Sequence, residues 1–167
     1  MNNFRYLLKA LALLALPIVL AGCAGQSESA KPAKPVLGVE CLAAEQLVYH
    51  IHPRLALFKE GKAVTISANI GIVPGKCLYW IHTHTPDGII HIESPKQQDY
   101  TLANFLAIWG KPATQTSIAG MSIGSGQSVR VTVDGAPFSG DINSIVLKDK
   151  RDIVIQVGPP FTATPSP

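Results

Sequence analysis

The sequence predicts a mainly β domain, either an antiparallel sandwich or an open barrel, with one short α-helix. Between about residues 47 and 157, short runs rich in Val, Ile, Thr and aromatic residues alternate with turns that contain Gly, Pro or Asp. Only one segment has the spacing of apolar residues that an amphipathic helix requires. The number of predicted strands fits a sandwich and a barrel equally well.

The first 22 residues are expected to be a signal peptide that does not belong to the fold. Arg5 and Lys9 flank the start of an apolar stretch over residues 11–20, and the segment Leu-Ala-Gly-Cys23 follows it. This is the pattern at which bacterial lipoproteins are cut and their cysteine is acylated. We therefore expect lipidation of Cys23 and a membrane-anchored protein on the extracytoplasmic side of the cell envelope. An ordinary signal peptide with an incidental Cys is the less favoured alternative.

The rest of the chain divides into a tether, one domain and a tail. Residues 23–37 predict a flexible tether, residues 38–160 a single β-rich domain, and residues 161–167 a disordered tail. The 14 Lys and Arg side chains fall to 12 without Arg5 and Lys9, against 11 Asp and Glu. Because no basic cluster remains, no nucleic-acid partner is expected. The sequence does not indicate a protein partner.

The first predicted strand, at residues 47–52, ends or bends at Pro53. Residues 55–58 and 63–66 then predict a hairpin around a Lys-Glu-Gly-Lys turn.

The next predicted hairpin has its strands at residues 78–84 and 89–93. A loop of two or four residues would pair His82 with His91, so that all three histidines of this hairpin and Glu93 share one face. A three-residue loop with a bulge would move His91 to the other face. The shared face is the favoured prediction.

The clearest helical pattern covers residues 101–109. Thr101 is a suitable N-cap, apolar residues recur at helical spacing, and Gly110 ends the pattern. Further strands are predicted at residues 129–133, 142–147 and 153–157.

All five histidines of the chain lie between residues 50 and 91, as two His-x-His pairs and one single residue. Alternate side chains of a strand share a face, so each pair points two imidazoles the same way, with Cα atoms roughly 6–7 Å apart. Their ring nitrogens can then converge on one metal ion. The candidate ligands are His50, His52, His82, His84 and His91.

Clustered imidazoles favour copper(II), which leads in affinity, or zinc(II), which accepts a tetrahedral arrangement. The first hypothesis is therefore an exported lipoprotein that binds copper or zinc. The second is an enzyme in which three histidines hold a metal that lowers the pKa of bound water to about 7, with Glu93 or Asp87 as general base. The third is a β-rich binding or structural module without a metal.

Cys41 and Cys77 each precede a His-x-His pair, by nine and five residues respectively. In an exported chain they are predicted to form a disulfide, which would stabilise the fold by about 3–4 kcal/mol and hold the two histidine strands together. The alternative is that one or both thiolates bind the metal. It is less favoured in an oxidising compartment.

Several of these motifs together resemble a group of small exported bacterial proteins to which no activity is assigned. The motifs are Tyr-His50-Ile-His52, Cys77-Leu-Tyr-Trp-Ile-His-Thr-His84, Gly88-Ile-Ile-His-Ile-Glu-Ser-Pro95, and Phe105 followed by Ile-Trp-Gly110. The resemblance extends over about residues 47 to 110. It implies that these motifs act as one unit, and it implies no particular reaction.

Overall fold

The computed structural model describes residues 33–162. The predicted signal peptide, Cys23 and most of the predicted tether and tail lie outside the described residues and stay predictions. Within residues 33–162 the chain forms short strands, one α-helix and no closed barrel, so the mainly β prediction is confirmed. No helix in this range is long and apolar enough to cross a membrane.

The elements of the described chain are short. In chain order they are β1 (Cys41–Leu42), β2 (Tyr49–Ile51), β3 (Arg54–Lys59), β4 (Lys62–Val64), β5 (Ile72–Val73), β6 (Cys77–Tyr79), β7 (Ile81–His82), β8 (His91–Ser94), α1 (Leu102–Ile108), β9 (Ser117–Ile118), β10 (Met121–Ser122), β11 (Ser128–Val133), β12 (Ala136–Pro137), a 3-10 turn (Ile142–Ser144) and β13 (Asp152–Gly158).

The largest sheet has the strand order β12-β11-β13-β3-β4. Its central strand β13 is antiparallel to β11 but parallel to β3, which is the one departure from the expected antiparallel pairing among these strands. Strands that lie about a hundred residues apart need no hairpin turn, so they can run in the same direction. Ile153, Val154 and Ile155 are consecutive and all fully buried, as expected for a strand covered on both faces.

A three-stranded sheet of order β2-β8-β7 carries the histidines. Ile51, Ile92 and Ile81 stand opposite one another across its three strands and are buried in the core. Because side chains alternate along a strand, the neighbours of these isoleucines point to the other face. One face of this small sheet therefore stabilises the fold, and the other presents the histidines.

A second three-stranded sheet, β1-β6-β5, contains the predicted disulfide. Cys41 and Cys77 are bonded, with their Cα atoms 5.4 Å apart, so neither thiolate is a free metal ligand. Since β6 continues into β7 after one residue, the disulfide fixes the strand that leads to His82.

Most predicted elements form where expected. The hairpin of β3 and β4 turns through Glu60 and Gly61, both at positive φ, as two-residue hairpin loops require. Helix α1 begins after Thr101, whose backbone N–H donates to Asn104 Oδ1 at 2.8 Å, and it ends before Gly110.

The predicted strand at residues 142–147 is wrong. Residues 142–144 form a 3-10 turn instead, because the Asp141 carboxylate accepts a hydrogen bond from Asn143 N–H at 2.9 Å and caps it. The short β9–β10 hairpin, in a polar and Gly-rich segment, was not predicted.

Both ends of the described chain contact the domain. The carbonyl oxygens of Lys34 and Leu37 accept hydrogen bonds from Tyr79 Oη and Asn104 Nδ2. At the other end, the Gln156 side chain exchanges two hydrogen bonds with the Thr162 backbone.

Candidate metal centre

Strand β8 lies at the centre of the histidine-bearing sheet and sets the positions of its ligands. Its residue His91 stands opposite His82 on β7, and its residue Glu93 stands opposite His50 on β2. The hairpin therefore has the favoured register, in which His82, His91 and Glu93 share a face. Side chains from three strands meet on one face because residues that stand opposite one another in adjacent strands point to the same side of the sheet.

The second His-x-His pair is held by its middle residue. Thr83 is fully buried, and its hydroxyl donates to the Ser67 carbonyl at 2.9 Å and accepts from Ile70 N–H at 3.0 Å. Its backbone N–H also donates to the Ile70 carbonyl. These bonds fix the chain between His82 and His84, so their side chains start from a rigid backbone.

Four residues bring one candidate ligand atom each to within 4.8 Å of all the others. We call them the inner group: His82, His84, His91 and Glu93. The Nε2 atoms of His82 and His84 are 3.1 Å apart, which is hydrogen-bond distance. Two nitrogens bound to one tetrahedral zinc ion at 2.0–2.1 Å stand about 3.3 Å apart. The spacing of this pair is therefore close to that of two ligands on one ion.

The tautomer of His82 is fixed by a backbone contact. Its Nδ1 lies 2.9 Å from the Tyr79 carbonyl oxygen, which can only accept, so Nδ1 carries the proton and donates. The lone pair of His82 therefore lies on Nε2, which faces His84. Histidines that bind metals are usually oriented by such a second hydrogen bond.

Glu93 is a buried carboxylate whose neighbours are histidines. It is 4% exposed, and its carboxylate oxygens lie close to three imidazole nitrogens: those of His50 at 3.3 Å, His91 at 3.4 Å and His82 at 3.8 Å. Within the described chain, Glu93 Oε2 and His91 Nδ1 are buried without a hydrogen-bond partner. A buried carboxylate is costly unless a cation neutralises it, and a bound metal ion would do so.

The buried histidines favour the neutral form that binds metals. Burial lowers the pKa of His91 to about 4, assisted by the nearby His84, His52 and His50. Burial also lowers the pKa of His82, although the Tyr79 carbonyl and Glu93 act in the opposite direction. Both rings are therefore unprotonated at neutral pH, and no proton has to leave them before an ion binds.

A second set of ligand atoms shares one histidine with the first. His50, His52 and His91, which we call the outer group, also lie within 4.8 Å of one another. The His52 ring centroid is 4.5 Å from that of His50 and 4.6 Å from that of His91. Pro53 therefore does not turn His52 away from the cluster, and all five predicted histidines come together.

Two acidic residues near the histidines have roles that the sequence did not predict. Glu93 was predicted to share a face with the hairpin histidines, but its expected role was that of a general base, whereas it lies among the candidate ligands. Glu45 Oε1 lies 3.7 Å from His84 Nε2. It belongs to a segment with no strand pattern, so no sequence signal could have placed it there.

The other candidate base, Asp87, serves the turn. Its carboxylate accepts a hydrogen bond from Ile89 N–H at 3.0 Å, and this bond lowers the pKa of Asp87. It is not among the residues of the inner or outer group.

Comparisons with protein-family models, with curated proteins and with solved structures found no match to this chain. Its fold and site define a β-rich protein with histidine and glutamate clusters that could hold a metal ion. Three surface depressions of the domain are lined by other segments and by none of the five histidines.

Proposed function

We propose that this chain is an exported lipoprotein that binds one zinc(II) or copper(II) ion through the inner group. The observation that carries the proposal is the pair of Nε2 atoms of His82 and His84, 3.1 Å apart beside the buried Glu93. His91 supplies a third nitrogen. Three imidazoles and one carboxylate complete a four-ligand site of the kind that zinc and copper(II) accept.

The ligand types favour these two ions over softer ones. Copper(I) prefers thiolate and thioether ligands, and the thiols of Cys41 and Cys77 are consumed by the disulfide. Calcium and magnesium prefer sites made of oxygen. Three nitrogens and one carboxylate oxygen form a set that zinc(II) and copper(II) accept, and copper(II) leads in affinity.

The partial exposure of the site favours capture and delivery of the ion over permanent storage. The His84 side chain is 39% exposed, whereas His82 is completely buried. An ion would therefore be held from below by His82 and Glu93 and remain reachable from the His84 side. The contacts of the Glu93 carboxylate with three imidazoles, at 3.3–3.8 Å, favour Glu93 as a ligand.

Metal binding is tested by titrating the metal-free full chain with Zn(II) and with Cu(II) against a chelator of known affinity. We expect one ion per chain, and at least about a tenfold weaker affinity for a His82→Ala/His84→Ala variant. Thr85→Ala, an exposed change next to His84, is the matched control and should bind like the wild type. A wild-type chain that retains no ion would refute the proposal.

The lipoprotein part is tested separately by metabolic labelling with a radioactive fatty acid. The wild-type chain should incorporate the label and sediment with membranes, whereas Cys23→Ser should do neither. Metal binding by Cys23→Ser should be unchanged, because the lipid only anchors the chain. Equal labelling of both proteins would contradict acylation of Cys23.

A further inference from the structure

We propose that the outer group is a second, transient metal site through which an ion reaches the inner group. The proposal rests on metal binding by the inner group and adds the route by which the ion enters. The three ligands of the outer group are His50, His52 and His91. A route of this kind requires a more exposed set of ligands, a ligand shared by both sets, and a bridge between them.

The two sets differ in exposure. None of the three outer ligands is buried, whereas two of the four inner ligands are, with His82 at 0% and Glu93 at 4% exposure; the inner His84, at 39%, is as exposed as the outer His50, at 40%. An ion arriving from solvent can therefore bind the complete outer group with less desolvation than the complete inner group requires. The buried end of the inner group is reached only after further desolvation.

His91 is the shared ligand. Its ring lies between the sets, with centroids 4.6 Å from His52 and 4.6 Å from His84. A neutral imidazole has one nitrogen with a free lone pair, because the other carries the proton. His91 can therefore serve one ion at a time, and the two sets are alternative positions of a single ion.

Glu93 connects the two positions. Its Oε1 lies 3.3 Å from His50 Nε2, and its Oε2 lies 3.8 Å from His82 Nε2. The same carboxylate thus faces the outer set with one oxygen and the inner set with the other. Transfer exchanges the bonds to His50 and His52 for bonds to His82 and His84 and changes no oxidation state.

The route is tested by loading the metal-free full chain with Cu(II) in a stopped-flow instrument, followed by the copper absorption band. His52→Ala is the informative variant, because the His52 side chain contacts the rings of His50 and His91 and belongs only to the outer group. We expect its loading to be about tenfold slower while the affinity at equilibrium stays within about threefold of the wild type.

Asp149→Ala is the matched control for a loosened strand end. The Asp149 carboxylate accepts the hydrogen bond of the His52 backbone N–H at 3.1 Å but offers no atom to either group. Its loading rate should equal that of the wild type. Thermal unfolding of both variants verifies that they are folded.

A second measurement removes the inner group. His82→Ala/His84→Ala should retain one weakly held Cu(II), with an electron paramagnetic resonance spectrum different from that of the wild type. This copper should disappear when His52→Ala is added.

Several outcomes separate the two proposals. Saturation of the wild type with two copper ions at once, or unchanged loading of His52→Ala, would overturn the route and leave the inner site standing. Failure of the wild type to bind any copper would overturn both proposals.

Discussion

At the scale of single residues, the position of Glu93 has the sharpest consequence. A Glu93→Gln variant keeps the shape of the side chain and removes its negative charge. We expect metal affinity to fall by about 10- to 100-fold, because the buried ion loses its neutralising ligand. The metal-free protein should be no less stable than the wild type, because a buried charge without a permanent cation is removed with the mutation.

The stability is measured by thermal unfolding with and without zinc, and the metal affinity by a titration. Glu40→Gln is the matched control, because Glu40 is exposed. It should leave both quantities unchanged. A Glu93→Gln protein that binds zinc as tightly as the wild type would show that the carboxylate is no ligand.

The lowered pKa of His91 predicts acid sensitivity of the metal-free protein. The pKa is about 4 in the folded protein and 6.5 as the ordinary value, so the unfolded chain takes up this proton first as the pH falls. The stability that the neutral ring contributes is complete above pH 6.5 and is lost as the pH falls towards 4.

This dependence is measured as the free energy of unfolding in urea across that range. His91→Gln, which cannot titrate, should flatten the profile and leave only the contribution of other groups, His82 among them. A wild-type profile that is already flat between pH 6.5 and 4 would contradict the prediction.

At the scale of elements, the approach of Gly71 to β7 fixes the histidine strand. Gly71 has φ +77°, and an added Cβ would lie 2.6 Å from the Ile81 carbonyl oxygen and 3.2 Å from His82 Cβ. Gly71→Ala should therefore push β7 outwards, destabilise the fold by about 3 kcal/mol and weaken metal binding.

Gly75 supplies a matched control. It also has a positive φ, at +69°, but an added Cβ would have no neighbour within 4 Å. Gly75→Ala should cost only about 1 kcal/mol, the strain of the backbone conformation itself, and leave metal binding intact. Equal losses for both variants in urea unfolding would show that the contact with β7 is unimportant.

The disulfide between β1 and β6 predicts a loss of stability without a loss of ligands. A Cys41→Ser/Cys77→Ser variant should be less stable by about 4 kcal/mol, the loop-closure value for cysteines 36 residues apart. At a temperature where the variant remains folded, it should still bind one ion. Loss of the ion from a folded variant would contradict the assignment of imidazole and carboxylate ligands.

At the scale of the whole molecule, the candidate metal site is expected to depend on β13, although β13 carries none of its ligands. Truncation after Lys150 keeps all five histidines but removes the central strand between β11 and β3. We expect this protein to show no cooperative unfolding and no stoichiometric metal binding, because β3 loses one of its two partner strands and the core loses Ile153 and Ile155. Truncation after Thr162, measured beside it by circular dichroism and copper titration, should behave like the full chain.

The sequence predicted what depends on local pattern. The His-x-His spacing, the Glu-Gly turn at residue 60, the N-cap Thr101 and the two cysteines each specify their own surroundings, and each was placed correctly. The parallel pairing of β13 with β3 was not predictable, because it joins segments about a hundred residues apart with no signal in either. Glu45 was missed beside His84 because its segment has no strand pattern.

The central position of β13 also affects where in the cell the candidate metal site can first form. Strands β3 and β13 pair directly but lie about a hundred residues apart in the sequence, so the core cannot form before the last strand is available. A chain that crosses a membrane N-terminus first would therefore stay unfolded until its final segment has passed. If the protein is exported and binds a metal, as proposed above, its histidines would come together only outside the cytoplasm, and the ions present there would decide which metal binds.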